Sequence, residues 1–424
     1  MAEKSLTERD KAIIWHPYTQ MQTAPDPIAI VRGEGAYLID DSGKKYIDAV
    51  SSWWVNLHGH SHPYIAERVS TQLKTLEHAI FAGFTHPPAV ELAEGLLQIL
   101  PKGQSKIFYS DNGSTAVEVA LKMCFQYWSN RGEARKKVLA FKNSYHGDTF
   151  GAMAVSARSA FTAPFESFLF DVIYIDTPDE TNLVRLKEEI ATSAEEISAF
   201  IYEPLVQGSG GMLMYEASHL DELLAFCKEN RIFAIADEVM TGFGRTGRLF
   251  ASEYMSNQPD LVCLSKGLTG GTMALGVTSC TVEIFKAFLS DDKLKTLFHG
   301  HSFTANPIAC AAALASLDLT LRPETMQSIQ RIADRHRHFA EKLRGNKKLR
   351  SIRQTGTIIA FEWETNADTS YFNMLRDQLY AYFLADGIIL RPLGNILYIL
   401  PPYCISDEDL SFIYSKIEQA LELF

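Results

Sequence analysis

No Cys-x-x-Cys pair occurs among the six cysteines, which stand far apart at 124, 227, 263, 280, 310 and 404. Most lie in apolar stretches, where cysteine behaves as a small hydrophobe. The spacing argues against a disulfide framework or a zinc ribbon and for a reducing compartment. Apolar runs are also short. None approaches the ~18–20 residues of a membrane span, and the opening MAEKSLTERDKAIIW is charged and lacks the apolar core of a signal peptide. Basic charge is scarce: 40 Lys and Arg against 51 Asp and Glu leave a net charge of −11. The densest basic run is Arg135-Lys136-Lys137, whereas a nucleic-acid binder needs a stripe of cations to neutralise phosphates. Internal repeats and low-complexity linkers are missing as well. The expectation is a cytoplasmic protein with small-molecule ligands and neither a membrane nor a nucleic-acid partner.

What is present is ordinary globular composition over a long chain. The 424 residues are 46% hydrophobic and 21% charged, enough for a large core and one to three domains. Through the middle, short β-branched runs alternate with helical patterns. Strands are expected at Lys106–Ser110, Lys137–Phe141, Val172–Ile175, Ala199–Tyr202, Ile232–Ala236 and Leu261–Leu264, with helices such as Ala116–Trp128 and Leu220–Asn230 between them. Val117, Ala120, Leu121, Cys124 and Trp128 share one face at the 3.6-residue period. This alternation predicts an α/β fold, a parallel sheet covered by helices on both faces. From about Pro323 the pattern changes to a long polar helix (Thr325–Arg344), shorter strands (Ile358–Glu362, Ile388–Arg391, Ile396–Leu400) and a terminal helix after Ser406. Residues 323–424 therefore read as a smaller α+β domain and residues 61–322 as a large one. Residues 1–60 carry hairpin-like stretches at Ala29–Val31, Ala36–Asp40 and Lys45–Ile47.

Ligands of parallel sheets sit beyond the carboxyl ends of the strands, so the residues there are the candidates for chemistry. After the first strand, Ser110-Asp-Asn-Gly113-Ser114-Thr115 opens a helix. Free N–H groups, hydroxyls and the positive end of a helix dipole can hold a phosphate there, while plain capping by Ser114 or Thr115 is the alternative. Ile232–Ala236 runs into Asp237-Glu238; a buried carboxylate needs a cation or a protonated ring nitrogen, a helix cap or an ion pair. Gly242-Phe-Gly244-Arg245-Thr-Gly247 formally matches G-x-G-x-x-G, but it lies too far from its strand, beyond an acidic pair, for a dinucleotide site. Lys266, just after Leu261–Leu264 and flanked by small residues, is placed for desolvation, which frees an amine for Schiff-base chemistry. His58, His60 and His62, and His299 with His301, look like metal tracts, yet no H-E-x-x-H or carboxylate-rich partner motif accompanies them. No metal is expected.

A phosphate turn, an Asp and a Lys at strand ends are the three anchors of pyridoxal phosphate. Through Asp237-Glu-Val-Met-Thr-Gly-Phe-Gly-Arg-Thr-Gly247 and Ser265-Lys-Gly-Leu-Thr-Gly-Gly271 the sequence resembles the class III pyridoxal-phosphate aminotransferases over nearly its whole length. The resemblance implies fold type I, with Lys266 as the Schiff-base lysine, Asp237 on the ring nitrogen, Tyr145 stacked on the ring, and Gly113 and Ser114 on the phosphate. It also implies a homodimer in which Gly300, His301 and Ser302 approach cofactor and substrate from the partner subunit. The family usually has Thr at the position of Ser302 and often Pro at that of His301.

Trp15-His-Pro-Tyr18, Ser52-Trp53-Trp54, Ser144-Tyr145-His-Gly-Asp148 and Leu390-Arg391-Pro392 resemble the branch that aminates 8-amino-7-oxononanoate to 7,8-diaminononanoate in biotin biosynthesis. In that branch the usual donor is adenosylmethionine, with lysine serving in some relatives. Such a substrate needs an apolar wall and a cation for its remote carboxylate; Tyr18, Trp53 and Trp54 can supply the first and Arg391 the second. Arg245 is either a further anion contact or part of a structural ion pair. The competing expectations are another class III ω-aminotransferase or aminomutase and, in a different class, a nicotinamide oxidoreductase using the Gly242–Gly247 loop.

Overall fold

The computed structural model describes residues 4–366 and 369–424. Its centre is a seven-stranded sheet in the order Gln104–Ser110, Gly276–Thr281, Leu261–Leu264, Phe233–Asp237, Ile197–Tyr202, Lys137–Phe141, Val172–Ile175. Parallel pairing joins the last five of these strands, as β-branched runs separated by helices require. Side chains alternate between the two faces. Leu139, Phe141, Phe200 and Tyr202 enter one apolar cluster, and Val138, Ala140, Ala199 and Ile201 enter the other, beneath the helix Gly113–Asn130. The sheet is thus buried on both faces.

One strand was not anticipated and runs the other way. Gly276–Thr281 is antiparallel to both of its neighbours. Its sequence, Gly-Val-Thr-Ser-Cys-Thr, lacks the apolar run of a buried strand. The hydroxyls are nevertheless buried because they are satisfied: Thr278 donates to the Ala116 carbonyl and Ser279 to Gln104 Oε1, both at 2.7 Å. The antiparallel strand Leu349–Thr355 and the helix Pro307–Thr320 were also not anticipated. The helix is apolar almost all round and so shows no amphipathic period.

The smaller sheets tie the two ends of the chain together. Ile30–Glu34, Tyr37–Asp40 and Lys45–Asp48 form an antiparallel meander, and Ile388–Ile389 adds to it in parallel beside Lys45–Asp48. A second sheet joins Leu349–Thr355, Ile358–Trp363 and Ile396–Ile399. The strand expected at Ile388–Arg391 stops at Ile389, and Arg391 turns into a cavity described below. Among the described residues all six cysteines are free, five of them buried, and no helix is long and apolar enough to cross a membrane.

Candidate active site

Five chain segments leave the carboxyl edge of the large sheet and enclose a cavity of about 640 Å³. Asp237 ends its strand inside it, and Lys266 enters two residues after Leu264. The Asp237 carboxylate is buried and held at both oxygens. His146 Nδ1 donates to Oδ2 at 2.7 Å, and the Val239 N–H donates to Oδ1 at 3.2 Å. Lys266 adopts a positive φ of 46° at the start of a short 3-10 turn, and its Nζ lies 4.5 Å from the Trp54 ring centre. Burial pulls the Lys266 pKa down from 10.5 to about 8, although the negative charges of Asp237 and Glu203 oppose the fall.

The opposite rim is the head of the helix Gly113–Asn130. Ser114 does not cap it, and Thr115 only answers the cap, its Oγ1 accepting the Asn112 N–H at 3.1 Å. Asn112 is the cap, with its side-chain oxygen accepting the Thr115 N–H at 3.0 Å. That cap leaves the Gly113 and Ser114 N–H groups at the cavity, and the Ser114 hydroxyl accepts the Asp148 N–H at 3.2 Å. The rim is tight. A Cβ on Gly147, whose φ is +130°, would lie 2.0 Å from Ser114 Oγ.

A second cavity of about 730 Å³ opens from the first, and Trp54, Tyr145 and Lys266 line both. Its walls include Tyr18, Trp53, Phe161 and Tyr371, and it contains Arg391. The Arg391 guanidinium sits 4.2 Å above the Trp53 ring, and Tyr18 meets the same ring edge-on at 5.5 Å. The Tyr18 hydroxyl donates to Asp148 and lies 3.4 Å from that of Tyr145. Burial, with the Asp148 hydrogen bond, pushes Tyr18 up to about 12, and burial pushes Tyr145 up as well. Both phenols stay protonated.

The tryptophans are presented by an unusual piece of backbone. Ser51, Ser52, Trp53 and Trp54 all have positive φ, between 45° and 72°. The Trp54 N–H donates to the Val50 carbonyl and the Val55 N–H to that of Ser51, each at 2.9 Å. This is one turn of left-handed helix in L-residues, a conformation that costs roughly 1–2 kcal/mol per residue. Such a turn persists only where surrounding groups hold it.

The family description "Aminotransferase class-III" matches residues 18–421. Over 421 aligned residues the chain is 48% identical to the adenosylmethionine-8-amino-7-oxononanoate aminotransferase of Synechococcus elongatus, covering 96% of this chain and 98% of the relative. The crystal structure of the enzyme of that name from Methanocaldococcus jannaschii superposes with a TM-score of 0.94 at 36% identity, covering 98% of each chain. An omega transaminase from Pseudomonas jessenii in complex with PMP superposes at 0.93 with 27% identity, over 99% of this chain and 98% of the other.

The chain is a class III aminotransferase.

It has the family's fold type I architecture and uses pyridoxal phosphate. The residues present fit that cofactor. The aminotransferase offers a primary amine, a fixed buried carboxylate and a helix head with two free N–H groups around one cavity.

Of the residues singled out in the sequence, Gly113, Ser114, Tyr145, Asp237 and Lys266 meet in the first cavity, and Tyr18, Trp53, Trp54 and Arg391 line the second. Gly300, His301 and Ser302 line neither. The His301 N–H donates to Thr304 Oγ1 at 3.1 Å, and its Nε2 is buried without a partner. Arg245 corrects both expectations held for it. It is 1% exposed and bonds backbone carbonyls of Pro401, Asn56 and Trp54 at 2.8, 3.1 and 3.4 Å, rather than an anion or a carboxylate. The glycines around it serve packing. A Cβ on Gly244 would lie 2.4 Å from Ile329 Cδ1, and only a short 3-10 turn, Ala251–Tyr254, follows the loop. A dinucleotide motif requires an α-helix there. Three of the tract histidines have other partners: His60 bonds Asp48, His58 bonds Ser316, and His299 accepts from Lys122.

Sequence reasoning missed Glu203 and His146. Glu203 is buried and accepts the N–H groups of Tyr145 at 3.0 Å and Gly208 at 2.9 Å. Burial, reinforced by the Asp237 charge, pushes its pKa up to about 7. The signal for it was available, since Glu203 directly follows the strand Ile197–Tyr202, the same placement that singled out Asp237. His146 had no such mark.

Proposed function

We propose that this aminotransferase converts 8-amino-7-oxononanoate to 7,8-diaminononanoate with adenosylmethionine as the amino donor, and so serves biotin biosynthesis. The observation that carries the reading is the continuity of the two cavities: Lys266 stands where they join, and Arg391 lies in the outer one among aromatic rings. An amino-oxo acid with a long aliphatic chain matches that shape, its carboxylate on the guanidinium and its chain along Trp53. Tyr18, Trp53 and Phe161 also offer ring faces to a sulfonium donor. Relatives that span the whole chain at 32–48% identity carry this substrate in their names.

When bound, pyridoxal phosphate supplies a carbonyl that exchanges amines and a ring that takes up the electron pair released at the substrate carbon. Gly113 and Ser114 would hold its phosphate with two backbone N–H groups and the helix dipole. Asp237, kept in place by His146, would hold a proton on the ring nitrogen. Tyr145 would stack on the ring. Lys266 Nζ would hold the cofactor at its carbonyl carbon and, once free as an amine, would move the proton from the amine-bearing carbon of the substrate. The low pKa of Lys266 serves both tasks. Donor and acceptor use the same cavity in turn, which gives ping-pong kinetics.

We assign Gly300, His301 and Ser302 to the active site of a partner subunit, which makes the working unit a homodimer. The unpartnered Nε2 of His301 supports this. Residues 1–60 and 323–424 would form the small domain around the large one at 61–322, as the pairing of Ile388–Ile389 with Lys45–Asp48 supports. The free, mostly buried thiols fit a cytoplasmic location. The test is an amine-donor screen followed in the visible band of the bound cofactor. Adenosylmethionine should bleach the band and 8-amino-7-oxononanoate should restore it with formation of 7,8-diaminononanoate. Bleaching by a different amine alone, with no turnover of the amino-oxo acid, refutes the assignment.

A further inference from the structure

The left-handed turn at Ser51–Trp54 is held largely by one buried carboxylate, and that carboxylate touches neither cavity. Asp48 is fully buried. Its Oδ1 accepts the Ser52 N–H at 2.9 Å, and its Oδ2 accepts the Ser52 hydroxyl at 2.9 Å and His60 Nε2–H at 2.8 Å. The tautomer of His60 is set by its other neighbour. Asn56 Oδ1 is taken by the Gly59 N–H at 2.7 Å, which turns Asn56 Nδ2–H toward His60 Nδ1 at 3.2 Å and leaves the ring proton on Nε2. His60 is itself fixed by paired backbone bonds to Gly35 and by the close approach of Gly33, where a Cβ would lie 2.6 Å from the His60 Cβ. The chain Asn56–His60–Asp48–Ser52 is therefore directional and complete. From the far side the Ser51 hydroxyl donates to the Leu400 carbonyl at 2.7 Å.

We propose that Asp48, oriented by His60, is a positioning residue for substrate. Its carboxylate clamps Ser52 in the left-handed region, and that backbone places the Trp53 ring under Arg391 and the Trp54 ring over Lys266. The inference rests on the substrate assignment above and adds a residue that acts only through others. A right-handed or extended Ser52 would redirect both indoles, because they hang on the two residues that follow. Among the described residues no other hydrogen bond on the Ser52 side chain or its N–H competes with Asp48.

The experiment compares wild-type holoenzyme with Asp48→Ala and the double variant Asp48→Ala/Ser52→Gly. Glycine takes positive φ without steric cost, so it relieves in the double variant the strain the lost carboxylate no longer restrains. Asp48→Ala is expected to raise KM for the amino-oxo acid roughly tenfold while kcat changes less than about threefold. Its near-UV circular dichroism should lose the tryptophan signal of a fixed indole pair. The double variant should bring KM back to within about threefold of wild type and restore much of that signal. A merely structural role for Asp48 lowers the melting temperature but gives no recovery of KM through Ser52→Gly, and that result overturns the proposal. So does an Asp48→Ala protein with wild-type KM and dichroism. If Asp48→Ala does not accumulate folded, His60→Ala tests the same chain, because it leaves both Ser52 bonds in place; a smaller rise in KM supports the proposal and an unchanged KM refutes it. Failure of the substrate assignment is separable, since it appears as wild-type protein without turnover, while the dichroism still reports on the clamp.

Discussion

Replacing Glu203 with glutamine separates the two things a buried carboxyl does in this site. Glu203 receives two backbone N–H groups, one on each oxygen. Glutamine has one oxygen, so one N–H loses its acceptor, at about 1–3 kcal/mol independent of pH. The charge acts with the opposite sign. A carboxyl held at about 7 in the folded chain instead of 4.5 is penalised, once ionised, by roughly 3 kcal/mol. Because the folded state binds the proton more tightly than the unfolded state, stability from this group is complete below 4.5 and declines as pH rises to about 7. Glu203→Gln has no such decline. The stability of the variant relative to wild type should therefore rise by roughly 2.5 kcal/mol between pH 5 and pH 8. For a chain of 424 residues that unfolds with about 2.1 cal/mol/K per residue, this is a swing of roughly 3 °C in Tm. The assay is parallel thermal and urea unfolding of both proteins at saturating cofactor across that pH range. Other raised carboxyls, such as Asp260 at about 6, are common to both proteins and cancel. A second readout is free of stability: without the Glu203 charge Lys266 loses one of the two attractions that keep it protonated, so the titration of the cofactor band should move to lower pH. A Tm difference that stays constant from pH 5 to 8 would refute the claim that burial governs Glu203.

Lys266→Ala should abolish transamination, by at least about 10²–10⁴-fold for the lost acid–base step, and borohydride reduction should no longer fix the cofactor to the chain; normal turnover would end the proposal. Arg391→Ala removes a charge-assisted carboxylate contact and should raise KM for the amino-oxo acid about 10–100-fold, from a contribution of roughly 1.5–3 kcal/mol, with a smaller effect on kcat in steady-state assays. Gly147→Ala forces a Cβ to within 2.0 Å of Ser114 Oγ at a φ of +130°, so cofactor retention on gel filtration should fall sharply while the far-UV spectrum stays that of wild type.

The large sheet was legible because its strands are β-branched and punctuated by helices, and Lys137–Phe141, Val172–Ile175 and Leu261–Leu264 coincide with their expected limits. Gly276–Thr281 was hidden because its burial is made possible by hydroxyl bonds to Ala116 and Gln104, partners 162 and 175 residues away. Long-range satisfaction of that kind leaves no local period. The same division runs through the site. Asp237 and Lys266 were visible as charged residues at the ends of apolar strands. Arg245 stood in a visible motif, but its partners are carbonyls at 54, 56 and 401, and no spacing rule announces a backbone carbonyl. The left-handed turn was least legible of all: Ser-Ser-Trp-Trp has no propensity for positive φ, and what holds it, the Asp48 carboxylate and His60, is close in sequence but follows no spacing rule that announces a clamp.

Lys266 and Glu203 are shifted by one cause in opposite directions. Burial withdraws the solvation of whichever form is charged, so the amine falls to about 8 and the carboxyl rises to about 7. At pH 7 roughly one lysine in ten is then a free amine, against fewer than about one in a thousand at an ordinary lysine pKa. The charge on Glu203 and on Asp237 limits that gain by holding the proton on Lys266. The value of about 8 already includes both charges, so a proton on Glu203 lowers it further, and this ties the availability of the Lys266 amine to the protonation of a residue that never has to touch substrate.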